Sequence, residues 1–292
     1  MVKALETTLS PMLGIGLMTF AMLILPISDG IVKLLSDEYP ILFLNGARYF
    51  AGAVTFVPIA LVMLRNYQFP TNQIFSLSTR TILHVCAVSL YFLAIARVPI
   101  ADALGAYFVA PLVASVLAVI LLNERITRSQ AVALFVGFGG ALIVVRPGAS
   151  INVGMLYALT SGVVFGIFLV STRKTSQKVP ALAALGFQFV LGTLLLLPVV
   201  IYFWKPVELW DLYLIGVAGV LWAIGHFAII QAFKRAATST LSPFIYLEIL
   251  GGAAVGYFMF NNIPSVITII GIALVAFSGL LVQRTTSAVA VT

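Results

Sequence analysis

Residues 180–203 read PALAALGFQFVLGTLLLLPVVIYF, 24 positions without a charge. A bilayer-spanning helix needs about 20 mostly apolar residues, so this stretch alone sets the chain in a membrane. Working outward, nine more stretches of the same kind appear, at 11–34, 40–64, 79–97, 100–122, 128–146, 152–172, 210–233, 239–260 and 264–283. The breaks between them are short and polar: Ser36-Asp37-Glu38-Tyr39-Pro40, Arg97-Val98-Pro99, Asn123-Glu124-Arg125, Arg146-Pro147-Gly148 and Asn261-Asn262-Ile263-Pro264. Only 65–78 and 173–179 resemble true loops, and neither could hold a soluble domain. The predicted fold is an all-α integral membrane protein of ten transmembrane helices, with its function inside the bundle.

Composition agrees. Of 292 residues 62% are hydrophobic and 9% charged, against roughly 45–50% and 25% in soluble domains. The net charge of +7 is scattered, which speaks for membrane topology rather than nucleic-acid binding. The single cysteine, Cys86, excludes an intramolecular disulfide and reads as a small apolar packer. Neither metal nor cofactor is expected: there are two histidines and no nucleotide-binding fingerprint. The run after Lys3 is too long for the apolar region of a signal peptide, so it reads as the first span.

Lysine and arginine set the orientation. With ten spans both termini share a side, which holds eleven of these cations, Arg80, Arg173 and Lys178 among them. The other side holds four: Lys33, Arg97, Arg146 and Lys205. Both termini are therefore expected in the cytoplasm. Trp204 and Trp210 flank an external loop, as interfacial aromatics do.

An internal repeat underlies the ten spans. A shift of 140 sets Gly14 on Gly154, Lys33 on Arg173, Pro40 on Pro180 and Arg48 on Gln188. Farther along, a shift of 138 sets Ala94 on Ala232, Arg97 on Arg235, Glu124 on Asn262 and Ala141 on Gly279. The halves are residues 1–148 and 149–292, one membrane domain overall. Five spans per half is odd, so the second half is inverted relative to the first. Inverted repeats are a signature of secondary transporters, which alternate between states open to either side.

Pro40 with Arg48, then Glu124-Arg125-Ile126-Thr127 with Gln130 and Gly137-Phe138-Gly139-Gly140, then Ile263-Pro264-Ser265 with Gly271, follow one another in order. In this the chain resembles the EamA-type drug/metabolite transporter superfamily over nearly its whole length, and among bacterial members it is most similar to YddG-type aromatic amino acid exporters. The resemblance implies a ten-helix basket, a central cavity between the halves, and spans 5 and 10 as peripheral scaffold. The second repeat departs from it, with Asn262 where many relatives have an acid matching Glu124.

A charge inside a span is costly and hence a functional candidate. Glu248 falls near the middle of its span, on a face shared with Phe244, Ile245, Gly252 and Val255, as a proton carrier, an amine ligand or a packing acid. Asp29 lies one turn before Lys33 and reads as its local ion-pair partner. Arg48, with Asn45 on its side of the helix, could fork a substrate carboxylate, snorkel, or pair with Asp29. His84 with Tyr91, and Trp222 with His226, occupy matching helices and would face a central axis. Gln188 is the repeat partner of Arg48; Tyr107 and Tyr246 lie near Pro111 and Pro243, whose helices free a carbonyl. Gly162 with Gly166, and Gly252 with Gly256, read as helix crossings.

These residues predict a secondary transporter moving small zwitterionic metabolites outward from the cytoplasm, and the resemblance implies that its substrates are amino acids, aromatic and other neutral ones, exported across a bacterial inner membrane. Its partners would be the substrate and the lipid, and no nucleic acid; nothing in the sequence fixes the oligomeric state. Export of drugs or other metabolites is the alternative. A membrane enzyme or structural subunit is the remoter one, because no nucleophile, metal set or acid pair stands at mechanistic spacing.

Overall fold

The computed structural model describes residues 11–95, 97, 103, 106–145, 152–261, 263 and 265–290. Eleven α-helices occur among them and no strand. They are α1 Pro11–Leu35, α2 Ile41–Met63, α3 Ile74–Ile95, α4 Ala110–Leu122, α5 Arg128–Val145 and α6 Val153–Ser176, then α7 Ala181–Tyr202, α8 Leu209–Arg235, α9 Thr238–Ile245, α10 Glu248–Phe260 and α11 Val266–Ala290. Seven segments are long and apolar enough to cross a bilayer: α1, α2, Thr71–Ala94, α6, α7, α8 and Thr238–Phe260. The shorter apolar helices Ala110–Leu122, Arg128–Ile143 and Val266–Leu281 fall within the remaining three predicted stretches. Large apolar side chains such as Phe75, Leu121, Phe135, Leu194 and Phe258 are exposed around the outside. Water would not tolerate so continuous a patch; lipid does.

The helix ends explain the loop motifs. Thr127 and Gln130 form a reciprocal cap on α5: Thr127 N donates to Gln130 Oε1 at 2.9 Å, and Gln130 N to Thr127 Oγ1 at 3.2 Å. Ser265, 138 residues on, caps α11 by accepting from Thr268 N at 3.2 Å. Asn123 and Asn261, also 138 apart, end α4 and α10 in the left-handed conformation, each with φ 53°; asparagine tolerates that region better than most residues.

Packing joins the two halves of the chain throughout. α1 lies on α8, α3 on α6, α2 on α7, α5 on α11 and α4 on α9. Further contacts run from α10 to α1 and from α4 to α6, and from α8 to α2 and α3 to α7. At one end the 36–40 loop is tied to the 203–211 segment. Tyr39 Oη donates to Asp211 Oδ2 at 2.7 Å, and Lys205 Nζ to the Glu38 carbonyl at 2.6 Å. The Asp211 carboxylate holds the Tyr39 hydroxyl above the usual tyrosine range.

Several sequence expectations change. The third helix starts at Ile74, not 79, and carries Arg80 into the bundle, fully buried, so Arg80 is no loop cation. Its flanking hydroxyls are absorbed by the helix itself, Thr79 bonding the Phe75 carbonyl and Thr81 that of Leu77. The expected ninth span breaks at Tyr246-Leu247, where bonds run from Leu247 N to Phe244 O and from Ile249 N to Tyr246 O. That tighter turn follows Pro243 and puts Glu248 at a helix start, where Gly252 and Val255 follow it at helical spacing on α10 while Phe244 and Ile245 belong to α9. Residues 173–176 are helical rather than loop, and Cys86 is exposed on the bundle exterior rather than packed. Gly162 and Gly166 do meet the carbonyls of Tyr107 and Ala110, but on α10 it is Gly251, not Gly252, that faces a neighbour. The readings that involve Lys3, Val98, Pro99, Asp102, Pro147, Gly148, Asn262 and Pro264, and the division at 148/149, lie outside the described residues.

Candidate functional site

Three helices bring their polar residues to one place because each presents a single face there. On α1, Met22, Leu25 and Asp29 succeed one another at one-turn intervals; on α3, His84, Val88 and Tyr91 do so; on α8, Trp222 and His226. With Arg48 of α2, Phe92 of α3, Tyr107, Phe165 of α6 and Glu248 of α10 they line a cavity of about 100 Å³. Sites that enclose drug-sized ligands run to about 300–1,000 Å³, so a substrate here requires the helices to part.

Aromatic rings form the floor. His84 and His226 meet edge to face with centroids 4.5 Å apart, and Trp222 lies 5.4 Å from His84 and 4.7 Å from His226. His84 Nδ1 is held by Tyr49 Oη at 2.6 Å and Gln188 Nε2 at 3.2 Å. That fixes the ring and leaves its other edge toward the cavity.

The wall is charged. Arg48 Nη1 contacts Asp29 Oδ1 at 2.6 Å and Ser28 Oγ at 3.3 Å, and its guanidinium lies 4.5 Å from the Trp222 ring centroid. Arg48 is 2% exposed and Asp29 51%. Asp29 therefore pairs with Arg48 and not with Lys33, whose Nζ sits over the Phe260 ring. A guanidinium gains more from a short charged bond inside the bundle than a surface lysine offers across one helical turn. Glu248 is partly exposed to the cavity, and no described residue gives it a hydrogen bond or ion pair. Access is uneven: Asp29 is exposed and Tyr91, Tyr107 and Glu248 partly so, while His84, Trp222 and His226 are buried. The cavity thus opens toward the Asp29 end and closes below the histidines.

Of ten residues singled out from sequence, Arg48, His84, Tyr91, Tyr107, Trp222, His226 and Glu248 line the cavity. Gln188 stands behind it as a support for His84. Tyr246 is fully buried against Phe108 and Phe138, away from the cavity. Asn45 is fully buried with neither amide atom paired among the described residues, also outside the lining.

At the opposite, Glu124 end the halves are bolted together. Glu124 accepts from Thr238 N at 3.1 Å and Ser239 N at 3.0 Å, capping α9 from the loop that follows α4, and pairs with Arg173 Nε at 3.4 Å. Arg173 also donates to the Phe233 carbonyl at the end of α8, and Gln130 Nε2 to Thr240 Oγ1 at 2.9 Å.

The EamA-like transporter family model matches this chain twice, over residues 12–146 and 152–284. The chain belongs to the EamA-like transporter family. It is a multi-pass membrane transporter by that membership, and its similar relatives are transporters. It is 24% identical to the S-adenosylmethionine uptake transporter of Rickettsia bellii (strain RML369-C) over 90% of each chain. It is 26% identical to the pseudopaline exporter CntI of Pseudomonas aeruginosa, over 67% of this chain and 70% of that one. A solved crystal structure shares the fold, with a TM-score of 0.78 at 17% identity, covering 94% of this chain and 98% of the other.

Residues of this EamA-like cavity that sequence reasoning missed are mostly apolar: Met22, Leu25, Phe92 and Phe165 carry no mark distinguishing them from core. Tyr49 and Arg80, which stand behind the lining, did carry a signal. Tyr49 follows Arg48 and matches Phe189 at the 140-residue shift, while Arg80 is one turn before His84 on the same helix.

Proposed function

We propose that this transporter moves small zwitterions, amino acids foremost, by alternating access between two inverted five-helix repeats, in the outward direction from the cytoplasm of a bacterium. The reading rests above all on one arrangement: a guanidinium and an unpaired carboxylate on the wall of one aromatic-floored cavity. Arg48 can trade Asp29 for a substrate carboxylate, and Glu248 can take the substrate's ammonium. Trp222, Tyr91, Tyr107 and the two histidines receive the side chain. S-adenosylmethionine, carried by one relative, itself bears an α-amino-acid end.

Reciprocal packing supports the repeat. A Cβ on Gly52 would strike Phe189 and one on Gly192 would strike Tyr49, and 52/192 and 49/189 are both 140 apart. Gly46 meets Val200, and Gly186 meets Ala60, again equivalent positions. Such reciprocity is what a two-fold relation between surfaces produces. The double family match, the capped loops at Thr127 and Ser265, and the turns at Phe108-Val109 and Tyr246-Leu247 support it likewise. The eleven-to-four cation bias, with Arg80 removed ten-to-four, supports cytoplasmic termini.

The test is uptake of labelled phenylalanine, leucine or S-adenosylmethionine into liposomes that hold the purified protein. Accumulated label should be chemically unchanged and be competed by unlabelled zwitterions. Uptake of other metabolites with no effect of amino acids would replace the substrate reading; a product of altered mass would overturn transport itself.

A further inference from the structure

Beneath the cavity floor lies a second arginine that the site does not use. Arg80 is the largest fully buried side chain of the described residues, and no carboxylate among them pairs with it. Its Nε donates to Thr172 Oγ1 at 3.0 Å, and Thr172 in turn donates to the Phe168 carbonyl at 2.8 Å. The guanidinium lies 5.2 Å from the Phe168 ring centroid. Phe168 is itself 4.5 Å from His84, centroid to centroid, so one ring separates Arg80 from the cavity floor. Both Nη1 and Nη2 are buried without a hydrogen-bond partner among the described residues.

A guanidinium keeps its proton in any protein setting, so the charge cannot be shed as a lysine's can. The Phe168 face offsets part of its burial. Two adjacent Nη groups remain as a planar fork, the geometry that binds a carboxylate bidentately. Arg48 has Asp29 as a resident counter-ion; Arg80 has none. A cation thus stands on each side of the His84–Phe168 partition, and only the upper one is balanced.

We propose that Arg80, steadied by Thr172, is a second carboxylate-binding position, which holds the substrate's carboxylate when the bundle opens at the Glu124 end. This rests on the transport reading above. The carboxylate would engage Arg48 with the bundle open at the Asp29 end and Arg80 with it open at the other, Phe168 turning aside between them. A ligand shifts a conformational equilibrium only through differential affinity for its states. An unbalanced charge reachable in one state alone supplies that difference.

The test is thermal unfolding of the purified protein in detergent at fixed ionic strength, titrated with benzoate, with benzamide as uncharged isostere and inorganic phosphate as a competing oxyanion. Benzoate should raise the midpoint in wild type and still do so in Arg48→Gln. Adding Arg80→Gln should abolish the shift, and Arg80→Lys, charged but without the fork, should need roughly tenfold more benzoate. An unchanged shift in either Arg80 variant overturns the site, as does an equal shift from benzamide or phosphate. Should Arg80→Gln not fold, the Arg80→Lys titration decides alone. A benzoate shift that depends on Arg80, in a protein that transports no amino acid, overturns only the functional reading. Normal amino acid transport with an Arg80-independent shift overturns only this site.

Discussion

Glu248 faces the cavity unpaired, whereas Asp29 is committed to Arg48. A carboxylate left free beside a cation–acid pair is suited to an ammonium, whose charge-assisted bonds are worth about 1.5–3 kcal/mol. Glu248→Gln keeps the volume and removes the charge. Uptake of a zwitterion at subsaturating concentration should fall roughly 10- to 100-fold, with expression and unfolding midpoint unchanged; wild-type uptake would remove Glu248 from the site. At this scale the sequence was legible where chemistry is rare. Two histidines and three in-span charges pointed to the cavity because lipid penalises them. It misled where one residue had two plausible partners. Asp29 is one turn from Lys33 in sequence, but Arg48 reaches it from another helix, a contact no local spacing reveals. Arg80 was hidden by a helix start placed five residues late.

On the scale of elements, α10 offers a paired comparison. A Cβ on Gly251 would lie 2.8 Å from Pro26 Cγ and 2.9 Å from the Met22 carbonyl, while one on Gly252 meets nothing within 4 Å. Alanine exceeds glycine in helix propensity by about 0.8–1 kcal/mol, so Gly252→Ala should leave the unfolding midpoint equal or higher. Gly251→Ala forces α10 from α1 and should cost about 1–3 kcal/mol net, as overpacking does. Equal midpoints for the two variants would show that α10 does not pack on α1 as described. The glycine-rich stretch Gly251, Gly252 and Gly256 marked a close crossing here, and Gly251 makes it while Gly252 stays open. Where a span is unbroken, as in α7, length and composition alone placed it to within a residue or two of 180–203.

Across the whole molecule, the two ends differ in what holds them. At the Glu124 end a carboxylate in one half caps α9 and pairs Arg173 in the other, while the cavity opens toward Asp29. The matching position in the second half is Asn262, so the carboxylate cap exists at the Glu124 end only, and the Asp29 end is tied instead through Tyr39 with Asp211 and Lys205 with the Glu38 carbonyl. The cap then biases the bundle toward closure at the Glu124 end. Glu124→Gln leaves one acceptor for two backbone donors and removes the ion pair. Loss of a helix cap costs about 0.5–2 kcal/mol, enough to shift a two-state population several-fold toward opening there. Ser176, 2% exposed beside this network, reports the change. In a Cys86→Ala background, Ser176→Cys should react slowly with a membrane-impermeant maleimide, and several-fold faster once Glu124→Gln is added. Reaction should occur in inside-out vesicles and not in intact cells, which checks the cytoplasmic placement of that end at the same time. Labelling from outside intact cells would invert the topology. Equal rates with and without Glu124 would mean that the capped network does not gate the bundle, and closure would then rest on the apolar contacts around Phe168.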